Sequence, residues 1–289
     1  MKNTLIILGL LISTSLSAQI ERPKWEFGGG IRLNYMLLDG GFSGYRNADG
    51  QTFDIKYDEI GMDNYSPSFA LALGGRYKKW NLEFAGSRGS YEGSFVTPAE
   101  LVRDDMHIDS GSVVSGTVDM NMYAMFTNFG IIQRKHDLGV GIGFLLLNMG
   151  SNYTTTSSTG EELKLGGNEW FPMPFLAVSG RLKFNNFRVV GSGGGSIYKG
   201  NMDGTDYDVG YYTVDISVAY EFLKTGRLTY SADIGYRYLY MDLDMESDNG
   251  WYKENDIYRG PYATIRILFS GKEMWQYVKR KDRKKEESN

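Results

Sequence analysis

The chain of 289 residues contains no cysteine, only six prolines and only two histidines. Without cysteine it can form neither disulfides nor thiolate metal sites. After residue 19 it also lacks an apolar run long enough for a membrane-spanning helix. Glycine is abundant, with 37 residues, and aromatic side chains make up 14% of the chain. This composition favours a β-rich protein with many turns.

The first 18 residues have the three parts of a secretory signal peptide. Lys2 supplies the positive charge, residues 5–12 form the apolar stretch, and residues 16–18 offer a small-residue cleavage site. An uncleaved membrane anchor is the alternative, but the apolar stretch is well short of the ~20 residues that span a bilayer. The sequence therefore predicts export, with a mature chain that begins near Gln19.

Residues 228–245, LTYSADIGYRYLYMDLDM, alternate between apolar and polar side chains. The alternation runs far beyond the roughly five or six residues of an average soluble strand. Ten alternating segments occur, at residues 25–37, 69–77, 80–85, 114–127, 138–146, 176–184, 187–197, 212–222, 228–245 and 260–269. In the fourth segment, the predicted outward set is Val114, Val118, Met120, Met122, Ala124 and Phe126, and the predicted inward set is Thr117, Asp119, Asn121 and Thr127.

Connections between these segments alternate between short and long. The short ones, at 78–79, 133–136, 185–186 and 224–227, are mostly basic, and the long ones, at 39–64, 92–112, 149–170, 199–208 and 244–256, are acidic. Short periplasmic turns and long external loops are typical of outer-membrane barrels. The sequence therefore predicts an all-β fold over residues 19–270, a transmembrane antiparallel barrel of about ten strands with periplasmic termini. A secreted, soluble β-sandwich is the alternative.

Segment 260–269, GPYATIRILF, is similar to the barrel-assembly signal, in which a glycine precedes alternating apolar residues and a terminal aromatic. The overall scheme resembles the small outer-membrane β-barrel superfamily, which includes outer membrane protein A and W types, lipid A deacylases and omptin proteases. The resemblance implies the cell outer membrane as location, with membrane lipid and the barrel-assembly machinery as partners. In this chain, a basic tail at residues 271–289 follows the signal. The tail is predicted to be periplasmic, either as a short interfacial helix or as a solvated segment.

Ionisable side chains of both signs fall on the predicted inner face. They are Arg32, Arg76, Glu83, Asp119, Arg181, Arg188, Asp215, Glu221, Asp233, Arg237 and Arg266. Charges removed from bulk water must be paired, so one hypothesis is a mutually neutralising network that fills the lumen. The other hypothesis is a selectivity ring that lines a channel.

Two acidic groups of residues invite a functional interpretation. Asp105 and His107, with Asp242 and Asp244, are similar in type to the acidic residues and histidine of the omptin rim, and they are the candidates for a rim hydrolase. A solvated acidic loop with an incidental histidine is the competing interpretation. Asp203, Asp206 and Asp208 place carboxylates as a calcium site would, but they lack EF-hand spacing.

Two glycine-rich stretches, GVGIGF (139–144) and GSGGGS (191–196), lie inside strands with no helix following, so a dinucleotide loop is not predicted. No cofactor and no nucleic-acid partner are expected, a monomer is predicted, and divalent cations are possible partners of the external loops. Three function classes follow. The first is a non-enzymatic structural or surface-interaction barrel, the second is a rim hydrolase centred on His107, and the third is a channel for small or hydrophobic molecules.

Overall fold

The computed structural model describes residues 25–46, 51–59, 61–62, 65–96, 101–103, 106–133, 136–156, 162–202, 204–248 and 250–271. The predicted signal peptide and nearly all of the basic tail lie outside these residues. The described chain forms thirteen strands: β1 (Trp25–Arg46), β2 (Gln51–Lys56), β3 (Tyr65–Tyr77), β4 (Trp80–Val96), β5 (Leu101–Arg103), β6 (Met106–Ile108), β7 (Val113–Gln133), β8 (Asp137–Thr156), β9 (Glu162–Phe184), β10 (Phe187–Met202), β11 (Thr205–Thr225), β12 (Leu228–Ser247) and β13 (Gly250–Ser270). Among these residues, no helix is long and apolar enough to cross a bilayer.

Ten of the strands form a closed antiparallel ring. The order is β1, β3, β4, β7, β8, β9, β10, β11, β12 and β13, and β13 pairs back onto β1. Strand β2 extends one side of β1, and β5 pairs only with β6. Closure gives every ring strand two neighbours and so removes the exposed edges of an open sheet. The predicted count of about ten strands is confirmed.

The two ends of the ring differ. At one end, which we call the turn end, Glu26 pairs with Ser270, so both ends of the barrel chain lie there. Two-residue hairpins also close this end, and Lys78 and Asn185 each adopt a φ of 53° in them, as hairpin turns of this length require. At the opposite end, which we call the far end, the longer hairpins project.

An apolar band covers the outer face of the ring. On β12 and β13 it includes Ile234, which is 72% exposed, and Ile265, which is 63% exposed. Aromatic pairs border the band toward the far end, such as the stacked rings of Tyr35 and Tyr65, 5.0 Å apart. From Arg259 toward the far end, the outer face of β13 carries Arg259, Asn255 and Lys253 beside Ile257 and Trp251. The residues from 250 to 258 therefore lie outside the membrane-spanning part of that strand.

The predicted long external loops are wrong for most of their length. The ring strands continue through them, so that β12 and β13 pair as far as Ser247 and Gly250, and β10 and β11 pair as far as Met202 and Thr205. Residues 39–46 likewise belong to β1. The far end is therefore in large part a β-sheet extension of the barrel.

The inward and outward faces predicted for β7 are reversed. Val118 and Met120 are buried inside the barrel, Met122 and Ala124 pack against the same interior, and the ring of Phe126 lies 6.3 Å from that of Phe175. Tyr123 and Met125 are exposed on the outside, and Asp119 lies on that outer face. In the far half of β7 the interior is apolar and the outer face carries Thr117, Asp119 and Asn121, so assigning the apolar face to lipid reversed the strand.

Prolines coincide with interruptions of the hydrogen-bonded ladders. The β9–β10 ladder ends at the Leu176–Gly195 pair, just below Pro174, and the β3–β4 ladder ends at the Phe69–Arg88 pair, just below Pro67. Proline has no N–H to donate to a neighbouring strand. Two seams therefore open toward the far end and separate β4, β7, β8 and β9 from the other ring strands.

Membrane placement can be tested at Ile234. Because its exposed side chain faces lipid, Ile234→Arg should lower the free energy of unfolding in lipid vesicles by roughly 2–4 kcal/mol. The matched control is Glu246→Arg, on the outer face of the same strand beyond the apolar band, which should change it by less than about 0.5 kcal/mol. Urea unfolding measures both. Equal stability of Ile234→Arg and the parent would contradict the assignment of the apolar band to the membrane.

Candidate functional site

Asp215 on β11 is the centre of a charge network inside the barrel. Its Oδ2 atom accepts hydrogen bonds from Arg32 Nη1 at 2.9 Å and from Arg237 at 2.8 and 3.1 Å. The Tyr262 hydroxyl donates to Oδ1, and the Arg32 guanidinium lies 3.9 Å from the centre of the Tyr262 ring. One carboxylate therefore joins β1, β11, β12 and β13 across the lumen.

A second group of ion pairs lies closer to the turn end. Arg266 Nε contacts Asp233 Oδ2 at 2.6 Å, and Glu221 accepts from Lys183 at 3.1 Å. Arg188 lies 3.5 Å from Glu221 and donates to the hydroxyl of Ser231 at 2.9 Å. These contacts link β9, β10, β11, β12 and β13.

Three further residues of the predicted network, Arg76, Glu83 and Arg181, also lie at the turn end. Arg76 contacts Glu26 at 2.7 Å, Arg181 contacts Asp137 at 3.5 Å, and Glu83 accepts from the amide of Asn81 at 2.6 Å. Glu26, Asp137 and Lys183 are missing from the list drawn from the sequence. The alternation of inward and outward positions along β1, β8 and β9 places these three side chains inside the barrel and could have identified them.

Asp119 is the one member of the predicted network that lies elsewhere. It pairs with Ser90 on the outer face of β4 and with Gly150 on β8. Its assignment to the lumen is wrong, because β7 presents its apolar even-numbered residues to the interior.

An apolar layer fills the lumen above the charges. Its buried members include Met36, Leu38, Leu147, Met173 and Leu239. A cavity of about 20 Å³, bordered by Arg237 and Leu239 among others, lies between the charge network and this layer. That volume is about the size of one water molecule. This apolar plug has no counterpart in the sequence-based prediction, which filled the lumen with a network of charges.

The far end holds a buried cluster of acids and tyrosines. Tyr57, just after β2, places its hydroxyl 2.8 Å from Glu254 Oε1 and 2.8 Å from Asp256 Oδ1. Tyr258 donates to Asp256 Oδ2 at 2.9 Å, and Tyr252 donates to Glu254 Oε2 at 2.9 Å. Asp256 is fully buried. All five residues were missed because four of them fall in predicted long loops and Tyr258 falls between the last predicted loop and the last predicted strand.

The geometry of this cluster requires an additional proton. A tyrosine hydroxyl carries one hydrogen and can donate to only one acceptor at a time, yet two carboxyl groups lie within hydrogen-bonding distance of Tyr57. Burial and the neighbouring Glu254 carboxyl raise the pKa of Asp256 well above its usual value, and burial also raises the pKa of Glu254. One carboxyl group is therefore expected to be protonated and to complete the chain of hydrogen bonds.

The candidate hydrolase residues do not assemble within the described structure. Asp242 and Asp244 lie on the outer face of β12, where Asp242 accepts from Asn255 and Asp244 pairs with Lys253 at 2.6 Å. His107 is in β6, in the hairpin between β4 and β7, which is four or five strand positions from β12 around the ring. Asp105 and the side chain of His107 lie outside the described part of the chain.

The candidate calcium ligands lie on the outer face of β11. Asp206 accepts from Asn201 at 2.7 Å, and Asp208 pairs with Lys199. Asp203 is outside the described residues. No group of three histidine or acidic side chains that could hold a metal ion is found in the part of the chain that the structure describes.

No protein-family model matches the chain, and no curated protein matches its sequence. Among solved structures, the chain is similar to the outer membrane protease OmpT from Escherichia coli, with 10% identity over 88% of this chain and 99% of that chain and a TM-score of 0.51. It also matches the translocator domain of the autotransporter NalP from Neisseria meningitidis, with 11% identity over 93% and 96% of the two chains and a TM-score of 0.37. The closed ring, the apolar outer band and the first of these likenesses give the chain the fold of an outer-membrane β-barrel.

Proposed function

We propose that this barrel is a non-enzymatic protein of the cell outer membrane, closed to solutes, with a surface-interaction role at its far end. The observation that carries the proposal is the filled lumen. Ion pairs around Asp215 bridge the interior in one layer, and buried side chains such as Leu38, Leu147 and Met173 fill the next. A barrel of about eight strands is just filled by side chains, and ten strands are filled here with long arginines, methionines and tyrosines.

The surface of the far end supports an interaction role. The strands extend beyond the apolar band as paired β-sheet, so they present their outward side chains on a rigid frame. Many of those side chains are acidic: Asp39, Glu92, Asp119, Asp206, Asp208, Asp242, Asp244, Glu246 and Asp248. Such a surface favours cationic partners, including divalent ions shared with another anionic surface.

Charge and turn length together support an orientation. The turn end has two-residue hairpins with Lys78 and Lys79 or Asn185 and Asn186, and Lys224 and Arg227 flank another turn there. Short turns face the periplasm in barrels of this class. Both termini then lie in the periplasm, and the acidic far end faces the exterior.

Single-channel recording tests the closed lumen. The purified, refolded barrel should give negligible steady conductance in planar bilayers, because charges and apolar side chains fill successive layers of the lumen. A triple variant, Met36→Ala with Arg237→Ala and Leu239→Ala, removes three side chains around the internal cavity and should conduct. A large, steady conductance of the unmodified barrel would move the protein into the channel class.

A separate assay tests the proposal that the protein is not an enzyme. Purified protein could be tested on peptides and acylated lipids. Cleavage that disappears in His107→Ala and persists in His136→Ala would contradict the proposal and favour a rim hydrolase.

A further inference from the structure

A groove of about 420 Å³ lies in the outer face of the barrel between β3, β4, β7 and β8. Its walls are apolar, formed by Leu71, Leu73, Phe84, Met125 and Phe144. The groove is open along its outer side, so it can cover one face of an acyl chain but does not enclose a ligand. Because these residues belong to the outward apolar band, the groove opens toward the acyl chains of the membrane.

Gly86 forms the floor of this groove. It is an outward position of β4, and a Cβ placed there would approach Tyr123 Cδ1 to 3.4 Å, which is ordinary van der Waals contact. The backbone therefore tolerates a side chain at this position, and a larger one would occupy the groove. The missing side chain leaves a depression in a wall where neighbouring strands carry Leu71, Phe84 and Met125.

Arg88, two residues further along β4, stands above the groove on the same outer face. Its ladder partners are Phe69 on β3 and Asn121 on β7. Among the described side chains at the far end of the ring strands, the other cations are paired: Lys199 with Asp208, Lys253 with Asp244, and Arg259 with Asp39. Arg88 forms no ion pair with any described carboxylate, although Asp119 is its diagonal neighbour across the β4–β7 ladder.

The surroundings of Arg88 place it at the border of the membrane. Tyr123 stacks on Trp170 with 6.4 Å between ring centres, and aromatic residues of this kind mark the membrane interface. Asn121 donates to Asn148 at 3.0 Å on the adjacent strands. An apolar groove thus ends in a guanidinium and amides at the depth where lipid headgroups lie.

We propose that this groove binds one molecule of the phosphorylated glucosamine lipid of the outer leaflet, lipid A, with an acyl chain over Gly86 and a phosphate on Arg88. Guanidinium and phosphate form strong, bidentate hydrogen bonds. The choice of the outer-leaflet lipid rests on the proposed function, which places the far end outside the cell. Asp119 and Glu92, further out on the same face, then flank the headgroup, where a divalent cation can bridge carboxylate and phosphate.

Native mass spectrometry of the full chain, refolded in detergent, tests this site. Hexa-acylated diphosphoryl lipid A, phosphatidylglycerol and phosphatidylcholine are added separately, and the lipid molecules retained per barrel are counted. One tightly retained lipid A is expected. Gly86→Leu and Arg88→Gln should each reduce its retention about tenfold, which is the effect of losing one strong polar contact or an equivalent apolar one.

Matched controls separate the groove from the general lipid surface. Gly191→Leu adds the same side chain at an open, outward position of β10, and Lys199→Gln removes a cation that is already paired; neither should change retention. Equal retention by parent and both groove variants would overturn the site. Equal or stronger retention of phosphatidylglycerol would overturn the assignment to lipid A. A conducting parent barrel would refute the proposed function and leave these lipid counts unaffected.

If Gly86→Leu does not fold, as judged by gel mobility with and without heating, Arg88→Gln still decides the outcome. Its side chain is exposed on the outer face, so its loss removes no described interior contact. Unchanged lipid A retention in that variant would by itself contradict the phosphate contact.

Discussion

Asp215→Ala is expected to lower the free energy of unfolding by about 3–5 kcal/mol, the cost of leaving buried charges without their partner. The Asp215 side chain is only 12% exposed and contacts Arg32 and Arg237. Its removal leaves two guanidinium groups facing each other in the lumen with no shared carboxylate. Tyr262 loses its acceptor as well. Urea unfolding of the barrel in lipid vesicles measures the effect.

A matched control separates the effect of burial on stability from the effect of the ion pair alone. Asp244 forms an equally short contact with Lys253, but the two side chains are 41% and 55% exposed. Exposed pairs contribute about 0–1 kcal/mol, so Asp244→Ala should have little effect. Arg237→Ala should fall between the two, because Asp215 keeps Arg32 and Tyr262. Equal costs for Asp215→Ala and Asp244→Ala would mean that the lumen is solvated and that the network does not seal it.

The ring could be predicted from the sequence because lipid imposes a strict alternation of apolar and polar side chains on each strand. Along β12, the outward residues from Tyr230 to Tyr240 are apolar and the inward residues Asp233 and Arg237 are charged, so the alternation is clear. The two-residue turns at Lys78 and Asn185 are equally clear, because they separate alternating segments of opposite direction. Strand number and order follow from these local signals.

The interior of the far half could not be predicted in the same way. There the lumen is apolar, so β7 has Val118 and Met120 on its inner face and Thr117, Asp119 and Asn121 on its outer face, the reverse of the polarity expected for a strand in lipid. Polarity alone therefore assigns such a strand to the wrong side. Only the neighbours supplied by the ring, such as Leu147 and Tyr91 inside, determine which face is buried.

The sequence also did not reveal how far the strands extend beyond the membrane. Past the apolar band, both faces of a strand can be polar, as with Lys253 and Glu254 on β13, so the alternation disappears although the pairing continues. Polar composition in these stretches favours a loop by local criteria. The cluster of Tyr57, Glu254 and Asp256 lies in this part of the fold, and its members are far apart in sequence.

That cluster is unusual because carboxyl groups are rarely buried without a cation. The described groups that act on Asp256 are Glu254, Tyr57 and Tyr258, and none of these is a cation. Hydrogen bonds from tyrosine stabilise a carboxylate, but here the burial outweighs them and raises the pKa of Asp256. The protonated acid is thus the form that fits the site.

Asp256→Asn should therefore stabilise the barrel increasingly as the pH rises. An acid whose folded pKa is raised contributes fully to stability below its unfolded pKa, near 3.9 for aspartate, and that contribution is lost as the pH rises through the raised folded pKa. Asparagine fills the same space and cannot ionise, so the variant keeps the stability that the parent loses as the pH rises.

Urea unfolding in vesicles at pH 4, 6 and 8 is the measurement, with Asp242→Asn on the exposed outer face of β12 as control. The difference between Asp256→Asn and the parent should be smallest at pH 4 and largest at pH 8, whereas the control should follow the parent throughout. A difference that shrinks with rising pH would show that the ionised carboxylate is the stable form in the folded barrel. In that case Tyr57 and Tyr258 would stabilise a buried anion, and the additional proton inferred for this cluster would be absent.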